Sequence, residues 1–207
     1  MQVTLVQATP NPVETISQIA SICYDSKPTS PIGLVRHLYK NGHHSVFEHI
    51  YFTFKIQGIS RACSHQLVRH RMCAFTQRSQ RYCAEDGFGM ILPRSIKGAG
   101  QDEAYDKLMW EIEAYYNEFR RHDVPNEDAR YVLPNACATE LYLSCNLREL
   151  IHIANERLCT RAQWEIRKLV RQMVDLVDPQ LAFMLVPKCK SGWIICNSPC
   201  GKSPVRP

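Results

Sequence analysis

Between Glu48 and Ile59 the side chains alternate, with Ile50, Phe52, Phe54 and Ile56 on one side and Tyr51, Thr53, Lys55 and Gln57 on the other. Period two over that length is a half-buried strand, and its surroundings follow a different rhythm. Residues 13–24 carry Val13, Ile16, Ile19 and Ala20 at helical spacing. A second helix over 30–41 has Ser30 as its cap, Pro31 at its first position and Gly42 past its end. Ser60 then caps a helix running towards Arg69. The longest amphipathic helix, 101–122, passes through Tyr105, Leu108, Met109, Ile112, Tyr115, Tyr116 and Phe119. Trp110, on the same helix, joins the aromatics expected in the core or at a subunit contact.

The remaining stretches complete the pattern. MQVTLVQAT opens as a short strand ended by Pro10 and Pro12, and 136–145 alternates again. Asn126 to Val132 is a short helix closed by Pro134. Two helices follow at about 147–158 and 161–177, the second burying Ile166, Leu169, Val170, Met173 and Val177. Segment 71–82 shows neither period and reads as an ordered loop. Strands and helices mixed without a βαβ rhythm predict an α+β fold, with a mixed or antiparallel sheet and flanking helices. A GxGxxG or GxxxxGK[ST] motif is missing from the sequence, so neither standard nucleotide fold is signalled. The chain, 207 residues long, reads as a single domain over 1–207 with 187–207 as a C-terminal tail.

Ten cysteines raise the question of disulfides. The opening residues lack the charged and apolar regions of a secretory signal, and no stretch reaches membrane-spanning length. The expectation is therefore a cytoplasmic protein with reduced thiols and no membrane partner. Cys23, Cys137 and Cys145 sit in apolar surroundings and read as small core residues. Cys189, Cys196 and Cys200 are separated by six and three intervening residues and lack a CxxC knuckle, so no metal is assigned to them.

A formal net charge of +5 is too mild for a dedicated nucleic-acid binder, but it is concentrated. Arg61, Arg69, Arg71, Arg78 and Arg81 fall in one stretch without an acidic residue. Arg forks bind phosphate bidentately, and a Ser hydroxyl with loop N–H groups completes an anion cradle. Gln66, Gln77 and Gln80 offer donor–acceptor pairs for a heterocycle edge. The composition alone also suits a solvated basic face. A basic RNA-binding module and a histidine-metal nucleotide phosphohydrolase using His43, His44 and His49 are the rival readings.

The order of these residues separates the alternatives. Arg69-His70-Arg71, seven residues, Ser79, one residue, Arg81, then an aromatic, resembles the signature of flavin-dependent thymidylate synthases. Gly42 to His49 before a strand, Ala129 to Pro134, Asn146-Leu147-Arg148, and Arg157 followed by Ala162 to Glu165 are similar to that family in the same order. The resemblance covers about 40–185. It implies an FAD-dependent methyltransferase that converts dUMP to dTMP. 5,10-Methylenetetrahydrofolate would give the carbon and NADPH would reduce the flavin, within a homotetramer whose sites form between subunits.

Carried over by position, the resemblance places Ser45, Arg69, His70, Arg71, Gln77, Asn146, Arg148 and His152 on FAD, with His43 nearby. It places Gln66, Arg69, Gln77, Arg78, Ser79, Gln80, Arg81, Arg130 and Arg157 on dUMP, with Ser79 and Arg81 nearest the phosphate. Arg157 is the expected catalytic residue, a guanidinium that stabilises charge developing on the uracil ring. No cysteine is assigned a covalent role. Gln77 stands where many members have Glu, Ala74 where many have Ser, and His152 where some have Asn.

Overall fold

The computed structural model describes residues 1–25, 28–197 and 200. The elements are β1 (Gln2–Ala8), α1 (Pro12–Ser21), α2 (Pro31–Lys40), β2 (Tyr51–Ser60), α3 (Arg61–Leu67), β3 (Ala74–Gln77), α4 (Arg94–Gly98), α5 (Asp102–Arg121), α6 (Asn126–Ala129), β4 (Ala138–Asn146), α7 (Leu147–Arg157) and α8 (Trp164–Asp175). Short 3-10 turns join several of them. The four strands form one sheet in the order β1-β2-β4-β3.

Backbone bonds set direction and register. Leu147 N–H donates to Ile50 at one end of the β2–β4 pair, and Arg61 N–H donates to Cys137 at the other. The strands are therefore antiparallel. Within β2, Gly58 has φ +67° and Met1 N 3.1 Å from where a Cβ would stand, a backbone position that favours glycine. Arg78 N–H donates to Glu140, which makes β3–β4 antiparallel too and sets Cys73 opposite Cys145.

The alternation read between Glu48 and Ile59 is borne out. Phe52, Phe54 and Ile56 are buried, while Thr53 bonds Ser144 at 2.9 Å and Gln57 bonds Glu140 at 3.0 Å on the other side. The strand begins only at Tyr51, because Ser45–His49 closes as a 3-10 turn first. Residues 74–77 are a strand where an ordered loop was expected. They lie at the sheet edge, and the half-buried positions are Phe75 and Gln77, so no apolar alternation marks them.

The chain divides into two compact units. One comprises residues 1–2, 56–67 and 76–141 and contains α3 to α6. Here Ser60 caps α3 by accepting from Cys63 N–H at 3.0 Å, as expected. α5 buries only Met109 and Tyr116; Leu108, Trp110 and Tyr115 are exposed. Tyr116 is fixed by the Glu85 N–H, which donates to its hydroxyl at 3.1 Å.

The other unit comprises 3–55, 68–75 and 142–207 and contains α1, α2, α7 and α8. α1 packs on α2, and α7 on α8. Asn146 caps α7 by accepting from Glu149 N–H at 2.9 Å, and Gln163 caps α8. Ile166, Leu169, Val170, Met173 and Val177 are buried as read. Cys137 and Cys145 are core residues, but Cys23 is exposed. α1 ends at Ser21, and the 3-10 turn Ile22–Tyr24 rotates Cys23 off the helix's buried face. Among the described residues no helix is long and apolar enough to cross a membrane.

Candidate active site

In the second unit, α7 and the segment ending at Arg71 meet through side chains. His70 is buried, and its Nε2 accepts from Arg157 Nε at 2.9 Å across 87 residues of sequence. Its other ring nitrogen, Nδ1, lies 3.6 Å from the Glu149 carboxylate. His152 stands edge-on to His70, with centroids 5.5 Å apart. Beside this group opens a cleft of about 660 Å³, lined by His44, Met72, Asn146, Arg148, His152 and Trp193 among others.

The cleft therefore collects Asn146, Arg148 and His152 of the expected flavin set, and His70 touches it through His152. Ser45 occupies the turn between His44 and Glu48, which both line the cleft. Arg69 and Arg71 flank His70 and are exposed. Arg148 pairs with Glu48, and Glu156 with Lys188 at 3.0 Å. Neither pair runs along the surface of α7 itself. The Asn146 carbonyl oxygen is committed to the helix cap, which leaves its amide N–H groups as the available donors.

In the first unit the expected substrate residues are held one by one. Gln77 donates to Ser64 at 3.0 Å and Thr139 at 3.2 Å. Arg78 pairs with the buried Glu85 at 3.2 Å and donates to the Ala84 carbonyl. That carboxylate raises the guanidinium pKa above its ordinary value. Ser79 accepts from Arg81 N–H at 3.2 Å, and Gln80 donates to Cys137 Sγ at 3.5 Å. Gln66 donates to the Ala62 carbonyl at 3.5 Å. Arg81 and Arg130 both reach Glu127, the first at its carboxylate (2.5 Å) and the second at its backbone oxygen (3.0 Å).

His43, His44 and His49 do not gather. His44 is a buried histidine whose Nε2 lies 3.0 Å from the Tyr39 carbonyl and whose ring stacks on Tyr39. Among the described residues His70, Glu149 and His152 do place ligand atoms within 4.8 Å of one another. Arg157 donates to His70 Nε2, and its guanidinium beside the group opposes a cation there.

A family model described as thymidylate synthase complementing protein matches residues 4–181. The chain is 40% identical to a flavin-dependent thymidylate synthase of Geobacter sulfurreducens, over 93% of this chain and 90% of that one. It is 35% identical to the Clostridium tetani protein of the same name, over 98% and 94%. The chain belongs to the flavin-dependent thymidylate synthase family. Flavin-dependent thymidylate synthases are methyltransferases, and this chain is one of those enzymes. In fold it is similar to the thymidylate synthase X of Helicobacter pylori, solved with FAD and dUMP, at a TM-score of 0.75 and 22% identity over 89% of this chain and 97% of that one.

Several residues at this flavin-dependent synthase's cleft were not singled out from the sequence as site residues. Glu48 and Glu149 each touch a residue that was, and Trp193 touches His44. Glu149 carries a weak signal, since it follows the capping Asn146 by three positions, a place favoured for acids by the helix N-terminus. Trp193 lies past the matched stretch, and only the fold brings it to His44.

Proposed function

We propose that this enzyme reductively methylates dUMP to dTMP in the cytoplasm. FAD is its flavin, 5,10-methylenetetrahydrofolate its carbon donor and NADPH its reductant, and tetrahydrofolate is released. The working unit is a homotetramer in which residues of neighbouring subunits complete each site. Chain 1–207 acts as a single catalytic domain ending in a tail. The observation that carries this reading is the Arg157–His70 bond, which draws the last turn of α7 onto the Arg-His-Arg segment beside the cleft.

The cleft residues fit a flavin dinucleotide. Asn155 Oδ1 is buried without a hydrogen-bond partner among the described residues, and Asn155 lines the cleft, so an acceptor there awaits a ligand donor. Asn146 supplies N–H donors, Arg148 a positive charge, and His44, Met72 and Trp193 flat apolar walls. Ser45, Arg69, His70, Arg71 and His152 complete this set, with Gln77 shared between flavin and nucleotide. The flavin, when bound, supplies the hydride.

The protein's own part is position and field. Arg81 brings positive charge to the phosphate, with Ser79 as the hydroxyl of the cradle, and Arg69 and Arg130 belong to the nucleotide set. Gln66, Gln77, Arg78 and Gln80 frame the nucleotide. Arg157 faces the uracil, where a fixed guanidinium favours negative charge on the N3–C4–O4 system as C5 becomes nucleophilic. The buried thiols are unsuited to covalent attack. Burial pushes Cys137 up to about 11, and contact with Cys73 together with burial holds Cys145 above the usual thiol range.

Arg157→Ala tests the assignment. It is expected to bind FAD within about threefold of the native affinity and to lose at least a hundredfold in kcat, a scale typical of removing one preorganised donor. Turnover at the native rate refutes the ring-stabilising role.

A further inference from the structure

We propose that Glu149 is a positioning residue for Arg157, acting through His70. The inference rests on Arg157 as the residue that faces the uracil. Its basis is the hydrogen-bond chemistry of three side chains. A guanidinium nitrogen only donates, so the 2.9 Å contact from Arg157 Nε requires an unprotonated Nε2 on His70. The ring's proton is then on Nδ1, which faces the Glu149 carboxylate at 3.6 Å. Glu149 therefore selects the tautomer that can receive Arg157.

The surroundings make that selection firm. His70 and Glu149 are both largely buried, which strengthens the electrostatic coupling between them. Glu149 N–H is bonded to the Asn146 side chain in the first turn of α7, which anchors the backbone that carries the carboxylate. Arg157 ends the same helix, two turns further on. His70 thus bridges the two ends of α7, and His152 packs edge-on against its ring from between them. A hydrogen bond at Nε fixes the orientation of the planar guanidinium and so aims its terminal nitrogens. That is the preorganisation a charge-stabilising donor needs.

The test is a double-mutant cycle on the flavin-loaded enzyme, read by dTMP formation and FAD affinity. Glu149→Met keeps side-chain length and removes the acceptor. It is expected to lower kcat at least tenfold while FAD affinity changes less than threefold. The double variant Glu149→Met/Arg157→Ala is expected to match Arg157→Ala alone, because nothing is left to position. Glu149→Gln still accepts from Nδ1–H and is expected to return kcat to within about threefold of native. A residue that merely supports the fold gives losses that multiply in the double variant and no rescue by Gln; either outcome overturns the inference. Should Glu149→Met not retain FAD, Glu149→Ala run through the same cycle decides by the same outcomes. If Arg157→Ala is impaired while Glu149→Met is native, only the positioning role falls. If Arg157→Ala itself is native, the reading of Arg157 falls and this inference with it.

Discussion

The indole of Trp193 stands edge-on to the imidazole of His44, with ring centroids 4.3 Å apart and planes at 89°. Trp193 also meets Tyr39 edge-on at 6.1 Å, so one tail residue closes an aromatic cluster that forms a wall of the cleft. An aromatic contact of this kind is worth about 0.5–1.5 kcal/mol beyond area burial. Trp193→Ala is therefore expected to weaken FAD binding about three- to tenfold, and Trp193→Phe less than threefold. A fluorescence titration with FAD checks this; equal affinity in native and Trp193→Ala proteins removes the tail from the flavin site.

Glu127 holds the Arg81 guanidinium that the proposed function gives to the substrate phosphate. Both side chains are about half exposed, so the pair itself contributes only about 0–1 kcal/mol. Glu127→Gln is expected to leave the thermal midpoint within about 4 °C and to lower the KM for dUMP two- to fivefold. A raised KM means that Glu127 orients Arg81 instead of competing for it. Steady-state kinetics at low and high salt separate the outcomes, since the gain fades as ions screen Arg81.

Phe54 is fully buried in the middle of β2. Phe54→Ala is expected to cost about 3–5 kcal/mol, a transfer term plus a cavity. Urea unfolding followed by circular dichroism measures it. A loss below about 1 kcal/mol contradicts the placement of that face in the core.

Cys137 predicts an alkaline weakness. Its thiol is raised from 9.0 to about 11 in the folded protein, so the folded state holds the proton after the unfolded state has lost it. Stability from this group is fully present below about pH 9 and is lost as pH rises towards 11, by roughly 1–3 kcal/mol. Cys137→Ala is expected to flatten that part of the stability profile, measured by urea midpoints from pH 8 to pH 11. An unchanged slope rules out this thiol as its source.

Much of the fold was legible because its helices and central strand carry apolar side chains in clean periods. β2 and α8 announce themselves in this way. β3 does not, because an edge strand with Gln77 at a half-buried position shows no apolar alternation. Cys23 misled because apolar neighbours say nothing about where a helix stops. At the site, the order Arg69-His70-Arg71 to Arg81 was readable in one dimension. The partners were not: Glu149 reaches His70, and Trp193 reaches His44, only through tertiary packing. Even Arg148, read as a cofactor residue, came with an unforeseen partner in Glu48.

The visible spectrum of the purified enzyme, recorded before and after dUMP and followed by an assay for dTMP, tests the central claim most directly. The expected result is a flavin spectrum that shifts on adding dUMP, and dTMP formed only when both methylenetetrahydrofolate and NADPH are supplied. A protein reconstituted with FAD that retains no flavin, or that retains it yet forms no dTMP with every co-substrate present, contradicts it.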